Sequence, residues 1–396
     1  MTREIETLTR LIQFDSQTET AGESEITRYL ASYMSGMGLE THLQEVEPGR
    51  YNAVGVWKGT GGGPSLMFNG HVDTNPVTEG WTVDPWAGLH DHEFIYGLGV
   101  SNMKAGCAAY LCAVEQLMQD GVRPRGDVIL TFVVGELQNG VGTHKLLQEG
   151  WRSDYFVNCE PTDLQALTLH AGAFNFDVEL VGVTRHLSKR EEAVDAIAAA
   201  CTLIPRLNSM TFSGAANEEH ESINRCNVGV IRGALSRAFK DWRPPQVADF
   251  VRLSGTARFA PSQTMQSVLD DLREVLNVLE REYPALRASV SRQEKVPGRP
   301  YFTAFEVDQG AAIVKYVNKA WGEVRGGDQP TGAIRPCCFF GSDASHLANS
   351  GIEGIVCGPG GKYNTMPDER VDIIDYMDAI KIYKRLVIEI CSRDTE

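Results

Sequence analysis

The sequence of 396 residues contains no long apolar run, no excess of basic residues and no closely paired cysteines. Without an uninterrupted apolar segment of about 20 residues, we expect no membrane-spanning helix. The net charge of -15 argues against a nucleic-acid partner and against an anionic membrane surface, because both require a basic footprint. We therefore expect neither kind of partner.

The nine cysteines form no Cys-x-x-Cys pair, and several lie inside apolar segments, as Cys107, Cys112, Cys201 and Cys357 do. An odd and scattered set of this kind indicates neither a disulfide framework nor a zinc knuckle. Residues 1–6 predict the start of an amphipathic helix and lack the apolar core of a secretion signal. These features favour a cytoplasmic location.

The chain is too long for a single core, and its patterns indicate two domains. Up to about residue 166, β-rich runs alternate with helical patterns. The runs lie at 51–57, 65–69, 127–134 and 153–158, and the helical patterns at 4–15, 24–38 and 101–120. This alternation predicts an α/β domain with a mostly parallel sheet covered on both faces.

A different pattern follows residue 166. Residues 173–180, 228–232 and 252–259 are strand-like, whereas residues 192–207 and 265–283 are helical. This order predicts a smaller α+β domain at residues 167–296. It would interrupt the α/β domain, whose two parts are then residues 1–166 and 297–396.

Two polar residues, His71 and Asp73, follow the apolar run 66–70. A spacing of two at the end of a strand places both side chains on the same side. In open α/β sheets, ligands bind beyond the carboxyl ends of the strands. A carboxylate beside an imidazole also fixes the tautomer, as it does around metal-bound histidines. Taken alone, the pair is a weak signal, and a structural histidine is the commoner explanation.

Four segments, in their order and spacing, resemble the M20 metallopeptidase and deacylase family. They are LMFNGHVD at 66–73, GLGVSNMKAG at 97–106, VVGEL at 133–137 and NCEPT at 158–162. The family includes acetylornithine deacetylase, succinyl-diaminopimelate desuccinylase, aminoacylase and carboxypeptidase G2. The resemblance implies a zinc-exopeptidase-like α/β domain with an inserted ferredoxin-like lid, through which the protein would form a homodimer.

The chain departs from the family at the metal ligands. A complete site uses five ligands for two zinc ions, and the resemblance retains His71 and Glu160. The bridging aspartate falls at Asn102, the second residue of a glutamate pair at Leu137, and the final histidine at Thr365. An amide oxygen is a weak ligand, and a leucine side chain has no donor atom.

The second zinc ion would therefore have no anionic or imidazole ligand. The first would have His71, Glu160 and the weak amide of Asn102, whereas catalytic zinc usually has three good protein ligands. We expect no metal, or at most one weakly bound divalent ion such as zinc.

The resemblance also assigns catalytic roles. Glu136 corresponds to the family's general base, and Asp73 is retained beside His71. His186 lies in a segment similar to the lid segment whose histidine reaches the partner subunit's site and stabilises the developing oxyanion. Acidic groups that converge without a full metal charge repel one another, which raises some of their pKa values and suits Glu136 as a base.

The candidate substrate-binding residues are Arg258, Arg335, Asn102, His346 and Thr365. Arg258 matches a lid arginine that could hold a substrate carboxylate through two hydrogen bonds, although a surface ion pair explains it equally well. Arg335 and the loop containing His346 resemble the segment that borders the family's site. Asn102 and Thr365 occupy former ligand positions.

These features favour an enzyme that acts on an amide, imine or related C–N bond of a small amino-acid-like substrate. With little or no metal, it would hydrolyse an easier bond than a peptide, or act as a lyase, isomerase or cyclase through base chemistry. Two alternatives stay open. One is a conventional dinuclear zinc deacylase or amidohydrolase, and the other is an inactive binding or partner subunit.

Overall fold

A computed structural model describes residues 2–240, 244–294, 296 and 298–393. The chain forms two compact units. The first comprises the chain up to Leu169, Phe305–Cys337 and the chain from Ser342 onward, and the second comprises His170–Ala304 and Cys338–Gly341. The inserted domain was predicted at 167–296, so its first residue shifts by three positions and its last by eight.

The described helices, in chain order, are α1 (Arg3–Ile12), α2 (Ala21–Met37), α3 (Ala105–Gln119), α4 (Val141–Gln148), α5 (Ala196–Ser209), α6 (Glu218–Ile223), α7 (Met265–Glu282), α8 (Ala312–Arg325), α9 (Ala344–Asn349) and α10 (Ile373–Cys391). The strands are β1 (Glu40–Glu47), β2 (Arg50–Trp57), β3 (Leu66–His71), β4 (Phe94–Tyr96), β5 (Val128–Val133), β6 (Tyr155–Pro161), β7 (Ala166–Leu167), β8 (Leu169–His170), β9 (Gly172–Val181), β10 (Arg225–Ala234), β11 (Phe250–Phe259), β12 (Arg287–Arg292), β13 (Phe305–Glu306), β14 (Thr331–Gly332), β15 (Glu353–Gly358) and β16 (Arg370–Asp372). None of the described helices combines the length and the apolar character that a membrane span requires.

The first unit is built on a sheet with the strand order β1-β2-β5-β3-β6-β15-β7-β14. Its centre is parallel, since β3 pairs in parallel with β5 and β6, and β6 pairs in parallel with β15. The β1–β2 and β2–β5 pairs are antiparallel. Every residue of β3 and β5 is buried, as expected for strands covered on both faces. The predicted α/β fold with a mostly parallel sheet is confirmed.

The second unit contains an antiparallel sheet with the order β10-β11-β9-β12. The chain order β9-α5-β10-β11-α7-β12, with the short α6 before β10, gives the ferredoxin-like arrangement. The apolar sides of α5 and α7 share a core with the sheet that includes Phe176, Leu203 and Leu272. The predicted helix at 192–207 was wrong at its start. The Asp195 side chain caps α5 by accepting the N–H groups of Ile197 and Ala198.

The predicted helix at 101–120 was also wrong at its start. The regular helix α3 begins at Ala105, and the backbone of Asn102 and Met103 lies outside the helical region. The peptide bond between these two residues is cis. This irregular turn places the Asn102 side chain at the carboxyl end of the sheet, beside His71.

A buried ion pair holds the turn that follows β5. Arg50 at the start of β2 donates to both carboxylate oxygens of Glu23 on α2, at 2.8 and 2.7 Å. The same guanidinium donates to Oε1 of Gln138 at 2.7 Å. Gln138 belongs to the short helical turn Glu136–Gln138, so the ion pair fixes the turn that carries Glu136.

Candidate active site

His71 and Asp73 lie where β3 ends, as the sequence predicted, and both are buried. The His71 Nδ1 atom lies 2.8 Å from the backbone oxygen of Asp73, so this nitrogen carries a hydrogen and donates it. The Nε2 atom faces Oδ1 of Asn102 at 3.0 Å. The ring therefore turns one fixed nitrogen toward the rest of the cluster.

The Asp73 carboxylate joins this strand end to the turn after β5. It accepts the backbone N–H groups of Glu136 at 3.1 Å and Leu137 at 3.3 Å, and the Thr18 hydroxyl at 3.0 Å. Burial alone would raise the pKa of Asp73, but His71 and the two N–H groups hold it below its ordinary value. Asp73 is therefore an anion that positions its neighbours.

The central group of the site is His71, Glu136 and Glu160. One ligand atom from each lies within 4.8 Å of the others, and all three residues are buried. The Nε2 atom of His71 lies 3.6 Å from Oε1 of Glu160. The three residues that the sequence placed at the ends of β3, β5 and β6 are thus brought together.

Burial dominates the electrostatics of this group. It raises the pKa of Glu136 well above its ordinary value and also that of Glu160, while the charge of His71 opposes both shifts. Burial acts against a charged imidazole too. The surrounding carboxylates, above all Glu160, outweigh it and raise the pKa of His71 well above its ordinary value. Glu136 is therefore a carboxylate with increased affinity for a proton, as a general base requires.

Glu369 anchors the segment that carries Asn102. Its Oε1 accepts the N–H groups of Ser101 at 2.9 Å and Asn102 at 3.0 Å, and its Oε2 accepts that of Gly99 at 3.2 Å. Burial raises the pKa of Glu369 to about 7, against the effect of these N–H groups. Sequence reasoning missed this residue, although it stands four positions after Thr365 in the last family-like segment.

Asp343 is a second residue that sequence reasoning missed. Its carboxyl group is fully buried, and neither oxygen has a hydrogen-bond partner among the described residues. Gly140 leaves room for it, because a Cβ atom there would lie 2.3 Å from Oδ1 of Asp343. Burial raises the pKa of Asp343 to about 7, with His71 and the nearby Thr143 hydroxyl opposing the shift. The available signal was its place in the loop 341–346.

The neighbouring candidate, His346, is held by the turn. Its Nε2 atom lies 2.9 Å from the backbone oxygen of Asn139 and donates to it. Burial lowers the pKa of His346 to about 4, so the ring is neutral. These contacts favour a role in supporting the turn after Glu136 over direct contact with substrate.

Asn102 and Thr365 line one small cavity of the first unit, together with Asn75 and Thr78. Arg335 is exposed and precedes a cis proline in the same unit. His186 and Arg258 belong to the second unit and are not part of the cluster that the first unit forms by itself. His186 is exposed and caps a short helical turn, and Arg258 lies half-buried on β11.

The donors present fit one divalent ion and not two. An ion at the central group would be held by His71 and Glu160, with Glu136 within reach and the Asn102 amide oxygen nearby. A second ion would depend on Leu137, which has no donor atom and is 38% exposed, and on the hydroxyl of Thr365. Among the described residues, the central group is the one set of three potential ligands.

Comparison with known proteins follows the same motifs. The profile of Peptidase family M20/M25/M40 matches residues 67–389. The chain is 27% identical to the N-formyl-4-amino-5-aminomethyl-2-methylpyrimidine deformylase of Bacillus subtilis, over 98% of this chain and 94% of that protein. It is 26% identical to the acetylornithine deacetylase of Aliivibrio fischeri, over 70% of this chain and 72% of that protein.

A tripeptidase from Staphylococcus aureus has a similar solved structure. The two structures superimpose with a TM-score of 0.79 at 22% identity, covering 99% of this chain and 98% of that one. At this level of identity, the likeness shows a shared fold. The match over nearly the whole length includes the inserted ferredoxin-like unit.

We predict that Asp343→Asn stabilises the protein at neutral and alkaline pH. The folded pKa of about 7 lies above the ordinary value of 3.8. The stability linked to Asp343 is therefore fully present below about pH 4 and is lost as the pH rises through about 7. The variant should gain roughly 1–3 kcal/mol over the wild type at pH 8 and much less at pH 5, measured by urea denaturation.

The exposed Asp328 provides the control, because Asp328→Asn removes a solvated charge and should change the stability equally at both pH values. A difference between Asp343→Asn and wild type that stays constant from pH 5 to pH 8 would contradict the prediction.

Proposed function

Because the chain belongs to Peptidase family M20/M25/M40, we propose that it hydrolyses an amide bond in a small, amino-acid-like substrate. Membership confirms the family predicted from the four motifs. Relatives that match most of the chain are named as a deformylase and a deacetylase, which release small acyl groups from nitrogen. The proposed reaction is therefore removal of a short acyl group.

The observation that carries the proposal is the buried Glu136 carboxylate next to His71 and Glu160. In the proposed reaction, Glu136 accepts a proton from water as its oxygen attacks the carbonyl carbon. The C–N bond then breaks, and Glu136 returns the proton to the leaving nitrogen. The raised pKa of Glu136, caused by its burial, favours both proton transfers near neutral pH.

Other residues of the first unit prepare this step. Asp73 fixes the His71 ring and holds the turn of Glu136 through its backbone N–H. A single divalent ion bound by His71 and Glu160 would polarise the substrate carbonyl as a Lewis acid. We assign oxyanion stabilisation to His186 by its similarity to the lid histidine of the family, and substrate contacts to Arg258 and Arg335.

A homodimer through the second unit belongs to the same proposal. Strand β10 lies at the edge of its sheet, and its side chains Val230 and Ile231 are 50% and 49% exposed. An edge strand offers unpaired N–H and C=O groups to a second strand, and exposed apolar side chains add buried area when it pairs. These features support pairing of two β10 strands.

We predict that Glu136→Gln lowers kcat by about 10²–10⁴-fold, because the amide cannot accept the proton of water. Release of free amine from a panel of N-formyl and N-acetyl amines measures the effect. The exposed Glu93 is the control position, and Glu93→Gln should retain full activity. Undiminished turnover by Glu136→Gln would rule out Glu136 as the base, and a wild type without any turnover on the panel would favour a binding subunit.

We predict at most one bound zinc ion per chain, because one set of donors fits and the second does not. Elemental analysis of protein purified without chelator provides the count. Glu160→Gln should remove the ion that is present, whereas the combination of Asn102→Asp, Leu137→Glu and Thr365→His should add a second. Two tightly held ions in the wild type would instead support the conventional dinuclear deacylase.

We predict that Ile231→Lys converts a dimer into a monomer, because it places a charge in the proposed β10 contact. Light scattering coupled to gel filtration measures the mass. Ile388 on α10 is 46% exposed and belongs to the first unit, so Ile388→Lys is the matched control and should leave the dimer intact. A dimer that survives Ile231→Lys unchanged would place the contact elsewhere.

A further inference from the structure

The cluster of the first unit contains more acidic than basic side chains. Its carboxyl groups, each at most 7% exposed, belong to Asp73, Glu136, Glu160, Asp343 and Glu369. The buried basic side chains are His71 and Lys104. The Lys104 ammonium donates to the backbone oxygen of Phe14 at 2.9 Å and lies 5.5 Å from the ring centre of Trp86. His71 is therefore the cation that directly contacts the central carboxylates.

Two of these carboxyl groups are already satisfied by the protein. Asp73 accepts two backbone N–H groups and a hydroxyl, and Glu369 accepts three backbone N–H groups. Glu160 differs from them. Its Oε1 atom is buried and has no hydrogen-bond partner among the described residues, and the His71 nitrogen stands 3.6 Å away. A buried, charged oxygen without a donor costs free energy, so this atom favours an occupant that brings hydrogens and positive charge.

A small cavity of about 30 Å³ adjoins the same place, and Asn102 connects the two. Its walls include the side chains of Asn75, Thr78 and Thr365, and its described lining contains neither lysine nor arginine. The carboxyl group of Glu369 forms part of the lining. The volume suits one group of the size of a water molecule, such as an amino group. Amide and hydroxyl oxygens can accept its hydrogens.

From this arrangement we infer that the site selects substrates with a positively charged nitrogen close to the amide that is cleaved. An ammonium group or a protonated aminoheterocycle would lie between Oε1 of Glu160 and the cavity lined by Asn102 and Thr365. The inference rests on the proposed amide hydrolysis and adds to it the charge class of the substrate.

The opposite charge would be rejected by the same residues. A substrate carboxylate in this cavity would face Glu160 and Glu369 without a lysine or arginine to neutralise it. Juxtaposed like charges in a buried site are a common means of excluding wrong partners. Affinity should therefore decrease from a cationic to a neutral to an anionic substituent.

The test is calorimetric binding of three matched compounds to the full-length Glu136→Gln protein, in which turnover is blocked. The compounds are N-formyl-1,2-diaminoethane, N-(2-hydroxyethyl)formamide and N-formyl-β-alanine, which carry an ammonium, a hydroxyl and a carboxylate. We expect the cation to bind about tenfold more tightly than the neutral compound and about 100-fold more tightly than the anion. Equal affinities, or a preference for the anion, would overturn the inference.

Two further variants locate the effect. Adding Glu160→Gln should reduce the affinity for the cation about tenfold and leave the neutral compound nearly unchanged. Thr365 is exposed, so Thr365→Lys should fold normally, and its fixed charge should abolish the preference for the cation. Glu93→Gln on the exposed surface should change neither affinity. A cation preference that survives both Glu160→Gln and Thr365→Lys would contradict the proposed position.

A zinc titration separates the substrate nitrogen from a metal as the occupant of Glu160. If one zinc ion binds and the cation preference persists, the inference stands. If zinc binding abolishes the binding of the cationic compound, Glu160 serves the metal and the inference fails. Because binding is measured without turnover, cation preference in a protein that cleaves no amide would refute the proposed function alone. Amide cleavage without cation preference would refute this inference alone.

Discussion

The carboxylate of Asp73 is the contact on which the rest of the cluster depends. It lies 3.5 Å from Nδ1 of His71 and accepts the backbone N–H groups of Glu136 and Leu137. One charged group thereby connects the end of β3 to the turn after β5. Because β3 and β5 are parallel neighbours, their ends meet at the same edge of the sheet, and the connection places Glu136 beside His71.

Glu369 serves the opposite side of the cluster in the same way. It collects the N–H groups of Gly99, Ser101 and Asn102 and so shapes the irregular turn before α3. The buried carboxyl groups thus divide into two kinds. Asp73 and Glu369 are saturated with hydrogen bonds and hold the backbone. Glu160 and Asp343 have buried oxygens without such bonds, so they affect the charge of the cavity more than its shape.

The part of the site that the sequence predicts correctly is the part that local order determines. His71, Glu136 and Glu160 each follow a buried apolar strand, and neighbouring parallel strands bring such positions together. Asp343 and Glu369 escaped prediction because their contacts span about 200 residues or more of sequence, which no local pattern encodes. The start of α3 was wrong for the same reason, since distant Glu369 binds the N–H groups of residues 99, 101 and 102.

The substitutions at the ligand positions change the charge balance of the cavity as well as its capacity for metal. Leu137 and Thr365 remove donors for a second ion, yet Glu136 and Glu160 remain buried at their strand ends. Negative charge that two cations would have neutralised now faces His71 alone, which raises the pKa values of both glutamates. A stronger base and an attraction for a cationic substrate therefore arise from one cause. The residues that no longer bind metal have made the remaining carboxylates more basic and left one of their oxygens open to the substrate.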